Sequence, residues 1–302
     1  MSESMSMDGI EKTMDTRPRL ITCVIATYNA AATLKQALDS LASQTYAPEI
    51  IIIDGASHDE TMDIVSSYRE HIAYVISEHD NGIYDAMNKG IASAHGDYIY
   101  FLGADDCLVS KDVLYDVAAK ISSYPDGERP DVFYGSVLTV NEKYHLEKQS
   151  FTEAQAEKFY HNMHLAHQGM FVKTSLMREH PFDCRYRICA DYEFVLWLYF
   201  EKKASFQQLN QPIAFYSMSG LSSVDTRNMV EESIHIMKEH NLPDRVIDSY
   251  IRLGRISYPK RKIRMLVRKA FEHIGILKWW YLNHGWQKHH CSNAICRWCH
   301  RP

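Results

Sequence analysis

No apolar run in this chain approaches the roughly 20 residues a membrane-crossing helix needs. The longest, such as Ile50–Ile53 and Phe194–Phe200, stop far short. Met1–Arg17 is rich in Met, Ser and Asp and has no basic stretch leading into an apolar core. It is therefore not a secretory signal, and residues 1–18 read as a loose leader. Cysteine is sparse, seven residues in all. An odd count without an export signal favours reduced thiols in the cytoplasm over a disulfide framework. There is no internal repeat and no low-complexity segment. The G-x-x-x-x-G-K-[ST] loop is missing, and no G-x-G-x-x-G follows the first apolar run, so the usual nucleotide fingerprints do not apply.

What remains is a globular composition: 46% hydrophobic and 24% charged over 302 residues, with a net charge of −5. That excludes disordered and fibrous chains. The charge is unevenly spread. Residues 252–302 carry twelve Lys/Arg against one acid, Glu272, while the first 251 residues carry 21 basic and 37 acidic side chains. A basic tail on an acidic body implies an anionic partner surface, membrane or nucleic acid.

From Leu20 the pattern alternates. Leu20–Thr27, Glu49–Asp54, Ile72–Ser77 and Tyr98–Leu102 read as buried strands. Between and after them, Ala31–Ser43, a segment ending near Arg69, Ile83–Ala94 and Lys111–Ser123 read as helices. Ser57-His58-Asp59-Glu60 has the spacing of a capping box. Such alternation predicts a mostly parallel sheet with helices on both faces. After Pro125 the rhythm changes to strands at Val132–Val140 and Lys143–Gln149, then a helix. An extended segment near Gly169–Lys173, a helix over Cys189–Phe200 and a short strand at Ile213–Ser217 follow, with helices from Thr226. The expected fold is α/β with a helical, basic C-terminal appendage: a main domain over 19–225, in halves 19–125 and 126–225, and an extension over 226–302.

Open α/β sheets bind ligands beyond the carboxyl ends of their strands, so the residues after each strand carry the information. They are Ala26-Thr27-Tyr28-Asn29, Asp54-Gly55-Ala56-Ser57, Glu78-His79-Asp80-Asn81-Gly82 and Gly103-Ala104-Asp105-Asp106. Three of the four ends carry carboxylates. Adjacent acids repel unless neutralised, and one or two carboxylates completed by phosphate oxygens are how Mg²⁺ or Mn²⁺ is usually held. Each motif alone is also ordinary turn and cap chemistry; their recurrence at consecutive strand ends points to a metal–phosphate ligand across the sheet edge.

In order and spacing these segments, with Ile83-Tyr84-Asp85-Ala86-Met87-Asn88-Lys89-Gly90 and Gly96-Asp97-Tyr98, resemble family 2 glycosyltransferases of the GT-A fold. The resemblance runs from about residue 20 to 222. It implies that Thr27, Tyr28 and Asn29 line a nucleotide pocket and that Asp54 hydrogen-bonds the base, typically uracil. It also implies that Asp105 and Asp106 form the DxD-type pair holding Mn²⁺ or Mg²⁺ on the diphosphate. The family often has Asp or Asn where Gly103 stands. Asp85 and Asn88, on the helix entering the pocket, are candidates for a ribose or sugar contact. Cys189-Ala190-Asp191-Tyr192-Glu193 is similar to the family's [E/A]-D-Y-[D/E] segment, which makes Asp191 the candidate general base, with Glu193 beside it. His167-Gln168-Gly169 resembles a segment facing donor sugar or acceptor, and Ser219-Gly220-Leu221-Ser222 a loop over the diphosphate.

The resemblance implies a metal-dependent inverting transferase. It would move sugar from a nucleoside-diphosphate sugar to a saccharide or lipid-linked acceptor in polysaccharide synthesis. The competing readings are a sugar nucleotidyltransferase, whose Gly-rich N-terminal signature is missing, and an inactive nucleotide-sugar-binding scaffold. In Tyr258–Tyr281, Ile263, Leu266, Ala270, Ile274 and Leu277 recur at helical spacing among Lys/Arg and end in Trp279-Trp280. This suits an anionic membrane surface at the inner face of the cell membrane; nucleic acid is not expected, because no binding motif accompanies the charge. Cys296-x-x-Cys299-His300 matches a haem-attachment pattern that needs export. Zinc binding by this His/Cys tract is chemically open, with a terminal disordered tract as the plainer reading.

Overall fold

The computed structural model describes residues 20–141, 146–150, 165–217, 225–252 and 287–288. The leader, the helix expected after Gln149, the Ser219–Ser222 loop, the basic Tyr258–Tyr281 helix and the terminal Cys/His tract lie outside the described residues.

β1 (Ile21–Thr27) and β2 (Glu49–Asp54) are nearly all apolar and buried on both faces, as central parallel strands must be. They pair in parallel with each other, and β3 (Tyr74–Ser77) and β4 (Tyr98–Phe101) extend the parallel set on either side. The crossovers are α1 (Leu34–Ala42), α2 (Thr61–Ser67) and α3 (Ile83–Ser93). The two-residue β5 (Cys107–Leu108) and α4 (Val113–Ser122) follow.

Beyond β4 the sheet becomes mixed. β6 (Val132–Asn141), β7 (Leu146–Ser150) and β8 (Met170–Lys173) join it antiparallel, with β8 wedged between β4 and β6. After β8 come α5 (Thr174–Glu179) and α6 (Ala190–Leu196), which ends in a π turn over Trp197–Glu201. β9 (Phe206–Ser217) runs parallel to β6 and antiparallel to β5. α7 (Thr226–Glu239) and α8 (residues 244–252) follow, and β10 (Gln287–Lys288) pairs with β7. The α/β architecture matches expectation, with the parallel character concentrated in the first half.

Two local expectations are corrected. β9 begins seven residues before Ile213, because Phe206–Pro212 (FQQLNQP) carries a polar face that reads as loop. Its register against β6 slips around Ser136–Pro212, the kind of irregularity that admits a proline in a strand. The Ser57–Glu60 segment is not a capping box. α2 starts at Thr61 with no side-chain bond at its cap residue Glu60, and Asp59 instead accepts from the Thr61 amide at 3.1 Å and its hydroxyl at 2.5 Å. Ser57 is held by the Asp54 carboxylate, a stronger acceptor than a distant amide is a donor.

Strand alternation divides the core in two. Ile21, Cys23 and Ile25 face Leu34, Leu38 and Leu41 of α1 and Leu114 and Val117 of α4. Val24, Ile51 and Ile53 face Met87 and Ile91 of α3, together with Phe194, Val195 and Leu198. Ile236 and Met237 of α7 and Val246 and Ile247 of α8 belong to this second layer. The stretch from 226 is thus packed into the body as far as the described residues run.

Candidate active site

The loops after β1 and β2 are tied together. The Asn29 amide donates to Ser57 Oγ (2.8 Å), Ala30 to Thr61 Oγ1 (2.8 Å) and Ala31 to Asp59 (3.1 Å). The Asn29 side chain accepts from the His58 amide at 2.9 Å. Asn29 (φ 48°) and Ala56 (φ 60°) both adopt left-handed backbone, a cost such sites tolerate when the surroundings fix it.

Asp54 is fully buried at the end of β2. Its carboxylate accepts from the Ser57 amide (3.0 Å), Ser57 Oγ (2.5 Å) and Ser77 Oγ (2.6 Å), joining the ends of β2 and β3. Thr27 Oγ1 is buried with no hydrogen-bond partner among the described residues, and Tyr28 is 61% exposed. Gly55 lies against both. A Cβ there would stand 3.0 Å from Asp80 Oδ2 and 3.4 Å from the Tyr28 ring. Asp80, missed in the sequence reading, therefore shares this pocket with Tyr28; its other oxygen pairs with Lys89 at 2.6 Å. Lys89 also meets Glu78 at 2.8 Å, and these acids hold its ammonium above the usual lysine range.

Asp85, in the first turn of α3, accepts from the Asn81 amide at 2.9 Å. Asn88 points elsewhere. Its amide donates to Phe182 O at 2.8 Å and accepts from Phe182 N at 2.9 Å, so both ends are taken up in tying α3 to the 182 segment.

The acidic pair after β4 divides its roles. Asp105 is half-buried, whereas Asp106 is 1% exposed and accepts from the Ser217 amide at 2.8 Å. Burial, and then the charge of Asp105, push the Asp106 carboxyl up to about 7, against the Ser217 amide, His167 and Gln168. Gly103 leaves room here: a Cβ would collide with Asp106 Oδ2 unless that side chain shifted, and lie 3.2 Å from Asp105 Oδ1. Two carboxyls thus converge on one glycine, and such a donor set fits a hard divalent ion. Among the described residues no three His, Cys, Asp or Glu side chains form a cage. Mg²⁺ and Mn²⁺ sites completed by phosphates do not need one.

His167 links this pair to the second half of the chain. It lies in a 3₁₀ turn (His167–Gly169) whose Gln168 carbonyl accepts from the Tyr100 hydroxyl at 2.9 Å. His167 Nδ1 donates to Asp191 Oδ2 at 2.9 Å. The other oxygen of Asp191 accepts from its neighbour's amide, Tyr192 N (2.9 Å), and from Tyr84 Oη (3.0 Å). Tyr84 Oη also lies 2.7 Å from Ile188 O. Burial, then the Asp191 charge, raise the Tyr84 phenol well above its ordinary value, so it serves as a neutral donor. Tyr84 was missed as a functional residue because it sits in an apolar helical pattern. Phe101, Met170, Phe182 and Phe194 close the cleft beneath His167 and Asp191.

The structure thus brings Thr27 and Tyr28 together with Asp80, bonds His167 to Asp191, and leaves Asp106 within reach of the His167 charge. Asn29, Asp54 and Asn88 carry their side chains in loop and helix ties.

A half-parallel, half-mixed sheet with acids at its strand ends defines the GT-A class of glycosyltransferase. Residues 22–180 match the family described as glycosyl transferase family 2, and the chain belongs to that family. It is similar to a PGL/p-HBAD biosynthesis glycosyltransferase of Mycobacterium tuberculosis (strain ATCC 25177 / H37Ra), 32% identical over 213 residues, spanning 68% of this chain and 79% of the relative. Among solved structures, Staphylococcus aureus TarS residues 1–349 in complex with UDP superposes with a TM-score of 0.57 at 18% identity, covering 78% of this chain and 71% of that one. The mannosyltransferase PcManGT of Pyrobaculum calidifontis, in complex with GDP-Man and Mn²⁺, gives 0.57 at 16% identity, covering 84% and 76%. The protein is a glycosyltransferase.

Proposed function

We propose that the enzyme transfers a sugar, with inversion, from a nucleoside-diphosphate sugar to a hydroxyl of a saccharide or lipid-linked saccharide in polysaccharide synthesis. The observation supporting this reading is the 2.9 Å bond of His167 to Asp191, with the His167 charge also acting on Asp106 of the acidic pair. On this reading the diphosphate site and the base adjoin the same histidine.

The nucleoside end is the Tyr28 surface. Its exposed ring offers a stacking face, the absent Gly55 side chain leaves room, and Asp80 Oδ2 stands ready to accept a base N–H. UDP is the favoured donor nucleotide: the TarS structure is a complex with UDP, although that of PcManGT is a complex with GDP-Man. Asp105, with Asp106 behind it, would hold Mn²⁺ or Mg²⁺. A cation bound there supplies charge neutralisation for the departing diphosphate.

Asp191 acts as the base. It takes the proton of the acceptor hydroxyl as that oxygen bonds to the anomeric carbon. The electron pair of the breaking C–O bond leaves on the diphosphate. Tyr84 and His167 hold the two Asp191 oxygens in fixed directions, which saves reorganisation in the transition state. The basic stretch 252–302 extends the reading to an anionic membrane surface, testable by co-sedimentation of the full chain with phosphatidylglycerol vesicles.

The deciding experiment is calorimetric titration with UDP and GDP, with and without Mn²⁺, on the wild type, Asp105→Ala and Asp191→Asn. Metal-dependent binding of one nucleotide is expected, lost in Asp105→Ala and kept in Asp191→Asn, with donor turnover in the latter strongly slowed but still measurable. Binding without turnover in the wild type, unaltered by Asp191→Asn, would favour an inactive scaffold. No binding of either nucleotide would refute the reading.

A further inference from the structure

Asp191 lies at the start of α6, a seven-residue helix preceded by an irregular segment. A base on so short an element needs its approach fixed from outside. Three successive amides lead into it, and all three are met by one side chain. Arg187 N donates to Glu232 Oε1 at 3.0 Å; Ile188 N and Cys189 N donate to Glu232 Oε2 at 2.9 and 3.0 Å. Glu232 belongs to α7, beyond the residues that match the family.

The clamp continues on both sides. Cys189 Sγ contacts Met229 O (3.5 Å) and Ser233 Oγ (3.6 Å), both one turn or less from Glu232. On the far side, Ile188 O faces the same Tyr84 hydroxyl that holds Asp191. The 187–189 segment is therefore fixed between Glu232 on α7 and Tyr84 on α3, and Asp191 follows two residues later. Carboxylate oxygens accept several N–H bonds at once, whereas a glutamine has one accepting oxygen and an NH₂ that would face donors. Preorganised geometry of this kind bears on rate more than on binding, because small displacements of a reacting group lower the rate steeply.

We propose that Glu232 is the positioning residue of Asp191, and that α7 is thereby part of the catalytic unit. This rests on the reading of Asp191 as the base. Glu232 touches no substrate; it acts through the backbone that carries Asp191.

The test uses the full chain with Mn²⁺, measuring nucleoside diphosphate release from UDP-N-acetylglucosamine, UDP-glucose and GDP-mannose, and UDP and GDP affinity by calorimetry. Glu232→Gln is expected to lower kcat at least tenfold, with donor KM and nucleotide Kd within twofold. Ile236→Val, a core change in the same helix, controls for general destabilisation and is expected to keep kcat. In an Asp191→Asn background, Glu232→Gln is expected to slow release no further, since residues acting through one group are not additive. Amide exchange at residues 187–189 is expected to quicken at least tenfold in Glu232→Gln and not in Ile236→Val. A kcat within twofold of wild type, or an undiminished loss in the Asp191→Asn background, would overturn the proposal. Equal release by wild type and Asp191→Asn would refute the transfer reading itself. In that event unchanged amide exchange in Glu232→Gln would overturn the clamp as well, and faster exchange would sustain it.

Discussion

Glu193, two residues past the candidate base, is 7% exposed yet charged. Its carboxylate lies 3.0 and 3.1 Å from His180 Nε2 and 3.3 Å from His240 Nε2. His180 is stacked on Trp197 at 4.4 Å, and the other nitrogen of His240 meets Glu201 at 2.8 Å. Burial alone would raise the Glu193 carboxyl, but the two imidazoles more than offset it and hold it at about 2. Against an ordinary value of 4.5, that difference is worth about 3 kcal/mol. This matches the 3–5 kcal/mol typical of removing one partner from a buried pair. The contribution of a depressed carboxyl is present above its unfolded value and is lost as pH falls from about 4.5 through about 2. His240 is raised by Glu193 and Glu201 in spite of its burial. Its contribution is full below about 6.5 and fades as pH rises through the folded value. Glu193→Gln should therefore lose most stability between about pH 5 and 6.5. At roughly 2–4 °C per kcal/mol, the deficit in Tm there is about 6–12 °C, and it shrinks towards pH 8.5. Thermal unfolding by circular dichroism across this range reads both features. A deficit below about 2 °C at pH 5.5, or one that grows from pH 6 to 8.5, would refute the reasoning.

Three other outcomes are expected. Gly103→Ala drives a methyl into Asp106 Oδ2; the overpacking should cost about 1–3 kcal/mol and weaken Mn²⁺-dependent nucleotide binding at least tenfold, measured by calorimetry. Asn88→Ala removes both ties to Phe182 and leaves its backbone unpaired, costing about 1–3 kcal/mol in urea unfolding, with nucleotide Kd unchanged. Ala56→Gly relieves a left-handed alanine at φ 60°; about 1 kcal/mol of strain less the entropy cost of glycine should leave Tm level or a degree or two higher, with binding retained.

The parallel half of the fold was readable because its strands are continuous β-branched runs such as EIIIID, and its helices repeat apolar residues at helical spacing. β9 was half-read, since FQQLNQP is held by backbone pairing to β6 and not by an apolar face. The acids after the strands stood out by recurrence. What they touch did not. Asp54 stands out in sequence as a strand-end acid, but its bonds to Ser57 and Ser77 do not. Asp80 sits in a turn pattern, and only the space at Gly55 reveals that it faces Tyr28. Tyr84 lies 107 residues from Asp191 in the chain. Glu232 lies on a helix whose polar face reads as solvated. Contacts across such separations leave no periodic trace in one sequence.

On the proposed reading of this pocket, the cross-stitching of the loops after β1 and β2 has a consequence for how donors are told apart. Amides 29, 30, 31 and 58 are all engaged between those loops, and Gly55 N is fixed on Thr27 O. Such a pocket has little ordering left to undergo when a base enters, so little affinity is lost to immobilising it. It also has little freedom to reshape itself around a base of another size. Discrimination between pyrimidine and purine is then a property of a stiff wall rather than of any single hydrogen bond. Changing the donor base of this enzyme would require recutting the two loops together, because a lone substitution at Asp80 or Tyr28 leaves the frame that sets the width intact.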